Sequence, residues 1–148
     1  MTTPNVLRFR GARALSDFRL AKLVQELRIA QAAVRGVAAE FWHFVEAAAA
    51  PAAGERRLLE RLLRYGVPVG GGTPRGELFL VVPRLGTLSP WSSKATEIAR
   101  NCGLAGVRRI ERGTLFAVET GEQLDRVRIG ALLHDRMTES VLASLDEA

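Results

Sequence analysis

The residues best suited to chemistry in this 148-residue chain are concentrated between Pro83 and Lys94, around Trp91. The segment combines hydroxyl groups, an arginine, a tryptophan and one of the chain's two lysines, the other being Lys22. A predicted buried strand precedes it, and a predicted helix starts within it. Because N–H groups at the start of a helix point towards the preceding loop, nearby hydroxyls and a lysine suit a phosphate or a carboxylate. Ordinary helix capping explains the same residues equally well.

Patterns typical of an independent catalytic or metal site are missing from the sequence. His43 and His134 have no carboxylate or cysteine at a metal-ligand spacing, and the single Cys102 cannot form an internal disulfide. The serines before Lys94 are out of register with the Ser-x-x-Lys pattern, because Trp91 stands where the nucleophile would be. We therefore expect no catalysis by this chain alone and no metal ion or cofactor bound by it alone.

Charge and hydropathy restrict the class of protein. The formal net charge of +5 would suit nucleic acid, but acidic and basic residues alternate within 55–61 and 109–112, which is typical of solvated faces. No stretch approaches the roughly 20 apolar residues of a membrane span, and the N-terminus lacks the apolar centre of a signal peptide. We expect a globular, cytoplasmic domain with neither a membrane nor nucleic acid as its partner.

Hydrophobic periodicity predicts the order strand, helix, strand, helix, followed by the same order again. Gly113 is expected to mark a bulge or a bend in its strand. The predicted elements are a strand at 6–10, a helix capped by Ser16, a strand at 34–45, a helix ending near Gly66, a strand at 78–82, a helix from Ser89 to Asn101, a strand at 107–118 and a helix at 122–145.

The repeated order indicates an internal duplication, with halves at about 5–66 and 77–146. Ser16-Asp17-Phe18 and Ser89-Pro90-Trp91 stand in matching places. Each half has a sheet face to bury and helices that can cover it. The sequence therefore predicts one domain over 1–148, an α+β two-layer sandwich of two fused β-α-β-α repeats with pseudo-twofold symmetry, its helices packed on a mainly antiparallel sheet.

Residues 84–104, RLGTLSPWSSKATEIARNCGL, closely resemble the signature of the large, single-chain phosphoribosylformylglycinamidine synthase family. The likeness continues at 15–19, 58–66, 109–113 and 133–139, and so extends over essentially the whole chain. Departures are small: Leu85 stands where proline is common, Leu88 replaces an isoleucine, and the stretch around Pro51 is rich in alanine. By this resemblance the chain is identified as the N-terminal domain of that family.

The resemblance implies a function for the complete enzyme and a set of partners. Enzymes of this family convert formylglycinamide ribonucleotide, glutamine and ATP to formylglycinamidine ribonucleotide in purine biosynthesis. Ammonia passes from a glutaminase domain to a synthetase domain, and both of those domains lie outside this chain. The N-terminal domain of the family resembles two fused copies of a small accessory subunit. ATP and magnesium are implied for the complete enzyme, and the synthetase and glutaminase domains are the implied partners.

The resemblance also implies that the motif is an interdomain or substrate interface next to the synthetase site. Lys94, with Ser92 or Ser93, is expected to stabilise a closed ammonia path or a bound phosphate. Two alternatives remain open: a stand-alone small-molecule-binding module, and a nucleic-acid-binding domain. The expected interface residues are Arg84, Thr87, Ser89, Trp91, Ser92, Ser93, Lys94 and Asn101.

Overall fold

Helices and strands alternate along the chain in a computed structural model that describes residues 5–64, 76–84, 89–135 and 137–142. The strands form one antiparallel sheet in the order β1-β2-β4-β3-β5. The predicted α+β class is therefore confirmed. The elements are β1 (Asn5–Arg13), α1 (Asp17–Ala30), β2 (Val34–Ala47), α2 (Ala53–Leu62), β3 (Glu77–Pro83), α3 (Pro90–Asn101), β4 (Val107–Thr120), α4 (Arg126–Leu133) and β5 (Glu139–Leu142).

The helices of the described residues cover one face of this sheet in two pairs. Leu27 of α1 and Ile129 of α4 pack in one cluster that includes Ala39 of β2. Leu59 of α2 lies in a second cluster, with residues of α3 and with Val45 of β2. Ala39 and Val45 are an even number of residues apart, so they point to the same side of their strand. Both clusters therefore lie on one face, as a two-layer sandwich requires.

The opposite face of the sheet carries a third, smaller apolar cluster around Phe44, Leu80 and Leu115. Beside it, the nearly buried carboxylate of Glu40 accepts hydrogen bonds from Nε and Nη2 of Arg10, at 3.1 and 2.8 Å from Oε2. Such two-pronged pairing satisfies a carboxylate that would otherwise be costly to bury. The ion pair therefore links β1 to β2 on the face away from the helices.

Pseudo-twofold symmetry is visible in the pairing of β2 with β4. Val34, the first residue of β2, pairs with Thr120, the last residue of β4. At the other end, the first residue of β4, Val107, pairs with the last residue of β2, Ala47. A rotation that exchanges the two strands therefore maps one pair onto the other, as in a symmetric dimer interface.

Both halves attach their first helix to the following strand by the same contact. Arg28, in the last turn of α1, donates from Nε to the carbonyl of Val34 at 2.9 Å. Arg100, in the last turn of α3, donates from Nε to the carbonyl of Val107 at 3.1 Å. In each case Nη2 donates to the next carbonyl along the strand. The matched contacts support the predicted duplication, whose half boundaries at 66 and 146 lie outside the described residues.

The predicted final helix at 122–145 is wrong over 122–125 and 137–142, and residues 143–145 lie outside the described residues. Helix α4 spans only Arg126–Leu133, and Glu139–Leu142 forms strand β5 instead. The carbonyl of Asp135 accepts from the backbone N–H of Thr138 and Glu139, which turns the chain back towards the sheet. Strand β5 then pairs with β3 and satisfies backbone groups on an edge that would otherwise be open.

Of the bulge or bend expected at Gly113, the bulge is wrong. Gly113 pairs with Trp42 in a stretch of β2–β4 register without a shift. A Cβ atom at Gly113 would lie 3.0 Å from Cγ1 of Val82 and 3.1 Å from Cδ1 of Leu80. This glycine therefore leaves room for side chains of β3. The predicted end of α2 at Gly66 lies outside the described residues, and the helix itself ends at Leu62.

Replacing Gly76 by alanine should destabilise the domain by about 2 kcal/mol or more. Gly76 precedes β3 with φ of 110°, and a Cβ atom there would overlap the backbone of Val118. Gly54→Ala is the matched control, since no atom lies within 4 Å of a Cβ at that helical position. Urea unfolding should show a large decrease in the free energy of unfolding for Gly76→Ala and no decrease for Gly54→Ala. Equal stabilities would contradict this account of β3.

Candidate functional site

Helix α3 begins and ends where the sequence predicts. Ser89 is its N-cap, with Oγ accepting a hydrogen bond from the N–H of Ser92 at 3.0 Å, and Pro90 occupies the first turn. After Asn101 the chain leaves the helix through Gly103, whose φ of 93° favours glycine. Local signals therefore define the whole helix.

Ser92 holds the first turn of α3 against β4. Its side chain is fully buried, and its Oγ donates to the carbonyl of Ile110 at 2.5 Å. One turn later, Oγ1 of Thr96 donates to the carbonyl of Ser92 and accepts from the N–H of Ile110. Ser93 and Lys94, by contrast, are exposed. Of the two serines considered for the interface, Ser93 is therefore the one whose side chain a partner can reach.

The other predicted interface residues are not all brought together. Arg84 is exposed at the end of β3, where its backbone N–H donates to the carbonyl of Thr138. Asn101 is exposed at the far end of α3, about 18 Å from its start, since a helix of 12 residues rises 1.5 Å per residue. Thr87 lies outside the described residues. The geometry thus groups Ser89 with 91–94 and leaves Asn101 apart.

Trp91 packs into a group of four side chains that we call the Trp91 stack: Phe41, His43, Trp91 and Arg112. The guanidinium carbon of Arg112 lies 4.2 Å from the centroid of the Phe41 ring and 4.7 Å from that of Trp91. The centroids of the Trp91 and His43 rings are 5.6 Å apart, with 30° between their planes. A cation this close to two aromatic rings is attracted by both. The stack therefore joins the first turn of α3 to the centre of the sheet.

His43 is the buried member of the stack. Burial lowers its pKa to about 4; a hydrogen bond with the backbone of Phe9 opposes this shift, and the positive charge of Arg112 adds to it. Gly11 makes room for the ring, because a Cβ atom at that position would lie 2.6 Å from Cε1 of His43. His43 is therefore a neutral packing residue at pH 7.

An open cavity of about 230 Å³ lies between the end of α2 and helix α3. Its walls are mostly apolar, and Lys94 is the charged residue among them. The lining residues are Leu62, Leu63, Trp91, Lys94, Ala95, Ile98 and Ile110. Trp91 thus contacts the stack and also borders a cavity with Lys94.

Two classes of feature are not found within 5–64, 76–84, 89–135 and 137–142. No group of three or more His, Cys, Asp or Glu side chains is arranged to hold a metal ion there. Nor does any helix in these ranges have the length and apolar character needed to cross a membrane.

Residues 40–148 match the sequence model of one protein family, formylglycinamide ribonucleotide amidotransferase N-terminal. The chain belongs to this family. The resemblance inferred from the motif is thereby confirmed, and the chain is assigned to the N-terminal domain of that purine-biosynthesis amidotransferase. The matched range includes the whole Trp91 stack and Lys94. Strand β1 and helix α1 precede this range, and the pseudo-twofold relates them to β3 and α3 within it.

Sequence reasoning did not select Phe41, His43 or Arg112 as part of this amidotransferase site. Phe41 and His43 lie on one face of a predicted strand, and Arg112 lies in a segment whose sequence resembles that of the family. Nothing in the sequence states that His43 and Arg112 are opposite each other in the β2–β4 register. A correct register would have been needed to find the stack.

Ser92→Ala should destabilise the domain by about 1–3 kcal/mol, and Ser93→Ala should change its stability by less than about 0.5 kcal/mol. The first change removes a buried hydroxyl that bonds to Ile110, whereas the second alters an exposed side chain. Urea unfolding of both variants, compared with the unchanged chain, measures the difference. A larger loss for Ser93→Ala would overturn the assigned role of Ser92.

His43 should make the domain less stable as pH falls from about 6.5 to about 4. The unfolded chain takes up a proton in this window, whereas the lowered pKa of His43 keeps the folded side chain neutral. The free energy of unfolding should then fall by up to about 1.4 kcal/mol per pH unit, and below pH 4 this contribution is lost. Unfolding curves across this range should show a smaller pH dependence for His43→Phe. An unchanged slope in that variant would contradict the prediction.

Proposed function

We propose that the chain is the accessory domain that couples the glutaminase and synthetase activities of a formylglycinamide ribonucleotide amidotransferase. The complete enzyme would be a ligase that uses glutamine and ATP to convert formylglycinamide ribonucleotide to formylglycinamidine ribonucleotide, and we expect it in the cytoplasm. The observation that carries the proposal is the family match over 40–148. ATP and magnesium would be bound by the synthetase domain and not by this chain.

The start of α3 supports the proposal as a docking surface. Trp91 and Ser92 attach this turn to the sheet from within, while Ser93 and Lys94 of the same turn are exposed. An interface whose backbone is already fixed loses less entropy when a partner binds. The neighbouring cavity of about 230 Å³ is smaller than most sites for small ligands, which favours a docking surface over a stand-alone ligand-binding module.

We assign to Lys94 the contact with the partner domain. Its ammonium group stands on the exposed side of the turn and can donate three hydrogen bonds to a phosphate or a carboxylate. In the complete enzyme it would face the synthetase domain, next to the path by which ammonia arrives. Ser93 adds a hydroxyl on the same turn.

Adding this chain to an amidotransferase that lacks its own N-terminal domain tests the proposed function. Glutamine- and ATP-dependent formation of formylglycinamidine ribonucleotide should be restored, because the chain supplies the missing coupling surface. Circular dichroism first establishes that the added chain is folded. A folded chain that restores no activity at saturating concentration would count against a coupling role.

Lys94→Ala in the complete enzyme should lower the product formed per glutamine hydrolysed by about tenfold, the effect expected for one lost charge-assisted contact. Lys22→Ala is a matched control, because Lys22 precedes Arg28 in α1 by the same number of residues as Lys94 precedes Arg100 in α3. It should leave the ratio unchanged. If both variants stay fully coupled, Lys94 is not at the interface.

A further inference from the structure

The pseudo-twofold axis relates the position of the Trp91 stack to a second, equivalent position in the sheet, so the residues at the two positions can be compared. In β2 and β4, His43 is paired with Arg112, and the pseudo-twofold maps this pair onto Phe116 and Ala39. Ala39 and Phe116 are both buried in an apolar cluster. The same position in the scaffold therefore holds an aromatic–alanine pair on one side of the pseudo-twofold axis and a histidine–arginine pair on the other, and each pair joins β2 to β4.

The starts of the two equivalent helices differ in the same way. Phe18 stands two residues after its N-cap Ser16, as Trp91 stands two residues after Ser89. Phe18 is 79% exposed, whereas Trp91 is half-buried against His43 and Arg112. A helix of this fold can therefore start without an aromatic residue packed on the sheet. The stack thus lies on the side of the pseudo-twofold axis where α3, the helix of the family motif, packs.

We propose that His43 and Arg112 are positioning residues, which fix the indole of Trp91 and thereby hold Ser93 and Lys94 of the same turn in docking geometry. The inference rests on the proposed function, because it assigns these two residues a part in coupling. Arg112 acts through its contacts with the Phe41 and Trp91 rings. His43 acts as a buried flat surface beside Trp91, in the space that Gly11 leaves open.

The first turn of α3 carries two kinds of residue, those that pack inward on the sheet and those that face a partner. Its attachment to the sheet therefore determines where the outward residues stand. Neighbouring residues of a helix point in different directions, so one turn can hold Trp91 and Ser92 inward and present Ser93 and Lys94 outward. Ser92 ties the turn to Ile110 and Ser89 donates to Glu111, whereas Trp91 is the aromatic side chain of this turn that packs against the sheet. Trp91 borders the same cavity as Lys94, so the position of the indole also sets one wall of that cavity.

The double variant His43→Phe/Arg112→Ala tests the proposal by giving the stack the residues of its symmetry equivalent. Since Phe116 and Ala39 already occupy that position in this fold, the variant is expected to fold. Arg112→Gln is the second variant, because it removes the cation and keeps a polar side chain of similar length. Both are made in a Trp42→Phe background, so that Trp91 is the only tryptophan left.

Two readouts on the 148-residue chain report the position of the turn. Trp91 fluorescence should shift to longer wavelength and become more accessible to a soluble quencher. Hydrogen exchange of the Ser92 and Ser93 amides, both bonded to Ser89, should become about tenfold faster, the change that loss of two cation–π contacts corresponds to. Unchanged fluorescence and exchange in both variants would overturn the proposal.

A third readout is coupling in the complete amidotransferase, measured as the product formed per glutamine hydrolysed. The rate of synthesis with ammonia supplied directly is the reference, because it reports the synthetase activity without the glutaminase. This ratio should fall by about tenfold in the double variant, in proportion to the loss of the ordered turn. Ile129→Val is the control, because it weakens the core of the other helix pair without touching the stack. It should leave both the Trp91 signal and the ratio unchanged.

The outcomes separate this inference from the proposed function. If Lys94→Ala uncouples the enzyme while the double variant loosens the turn and stays coupled, the positioning role is overturned and the proposed function stands. If the reconstituted enzyme gains no glutamine-dependent activity from the unchanged chain, the proposed function fails, and with it any part of the stack in coupling. Loosening of the turn together with loss of coupling, absent from Ile129→Val, supports the proposal.

Discussion

The pairing of β2 with β4 is the constraint on which the rest of this domain depends. Two strands of 14 residues run antiparallel along their whole length, and each half then adds its own first strand outside, β1 on one side and β3 on the other. A slip of one residue would move every side chain of a strand to the other face of the sheet. The register therefore decides which residues lie beneath the helices and where the pseudo-twofold axis passes.

Because of the duplication, the sheet contains two equivalent positions, and these positions are occupied by different residues. On one side of the pseudo-twofold axis the pair is apolar, Ala39 with Phe116, buried beneath α1 and α4. On the other side His43 and Arg112 occupy the equivalent position and interact with Trp91 at the start of α3. Helix α3, which carries the family motif, packs on the side of the sheet with the polar pair.

Within the motif, residues of one helical turn divide between structure and surface. Ser89 caps the helix, Ser92 bonds to β4 from a buried position, and Ser93 and Lys94 remain exposed. A sequence comparison does not distinguish these residues, because it does not show which side chains point towards the sheet and which point towards solvent. The buried hydroxyl and the exposed ammonium group nevertheless do different physical work, and only the second can meet a partner.

The sequence by itself determined the features that depend on near neighbours. Ser89, Pro90 and Gly103 define α3, hydrophobic patterning predicts strands β1 to β4, and the motif identifies the family. Tertiary structure decided the features that depend on distant residues. Residues 139–142 form a strand because an edge of β3 was open, and Gly113 makes room for Leu80 and Val82. The Trp91 stack likewise exists only in one register of β2 and β4. Local signals act over a few residues, whereas these outcomes depend on which backbone and side-chain groups the fold brings together from far along the chain.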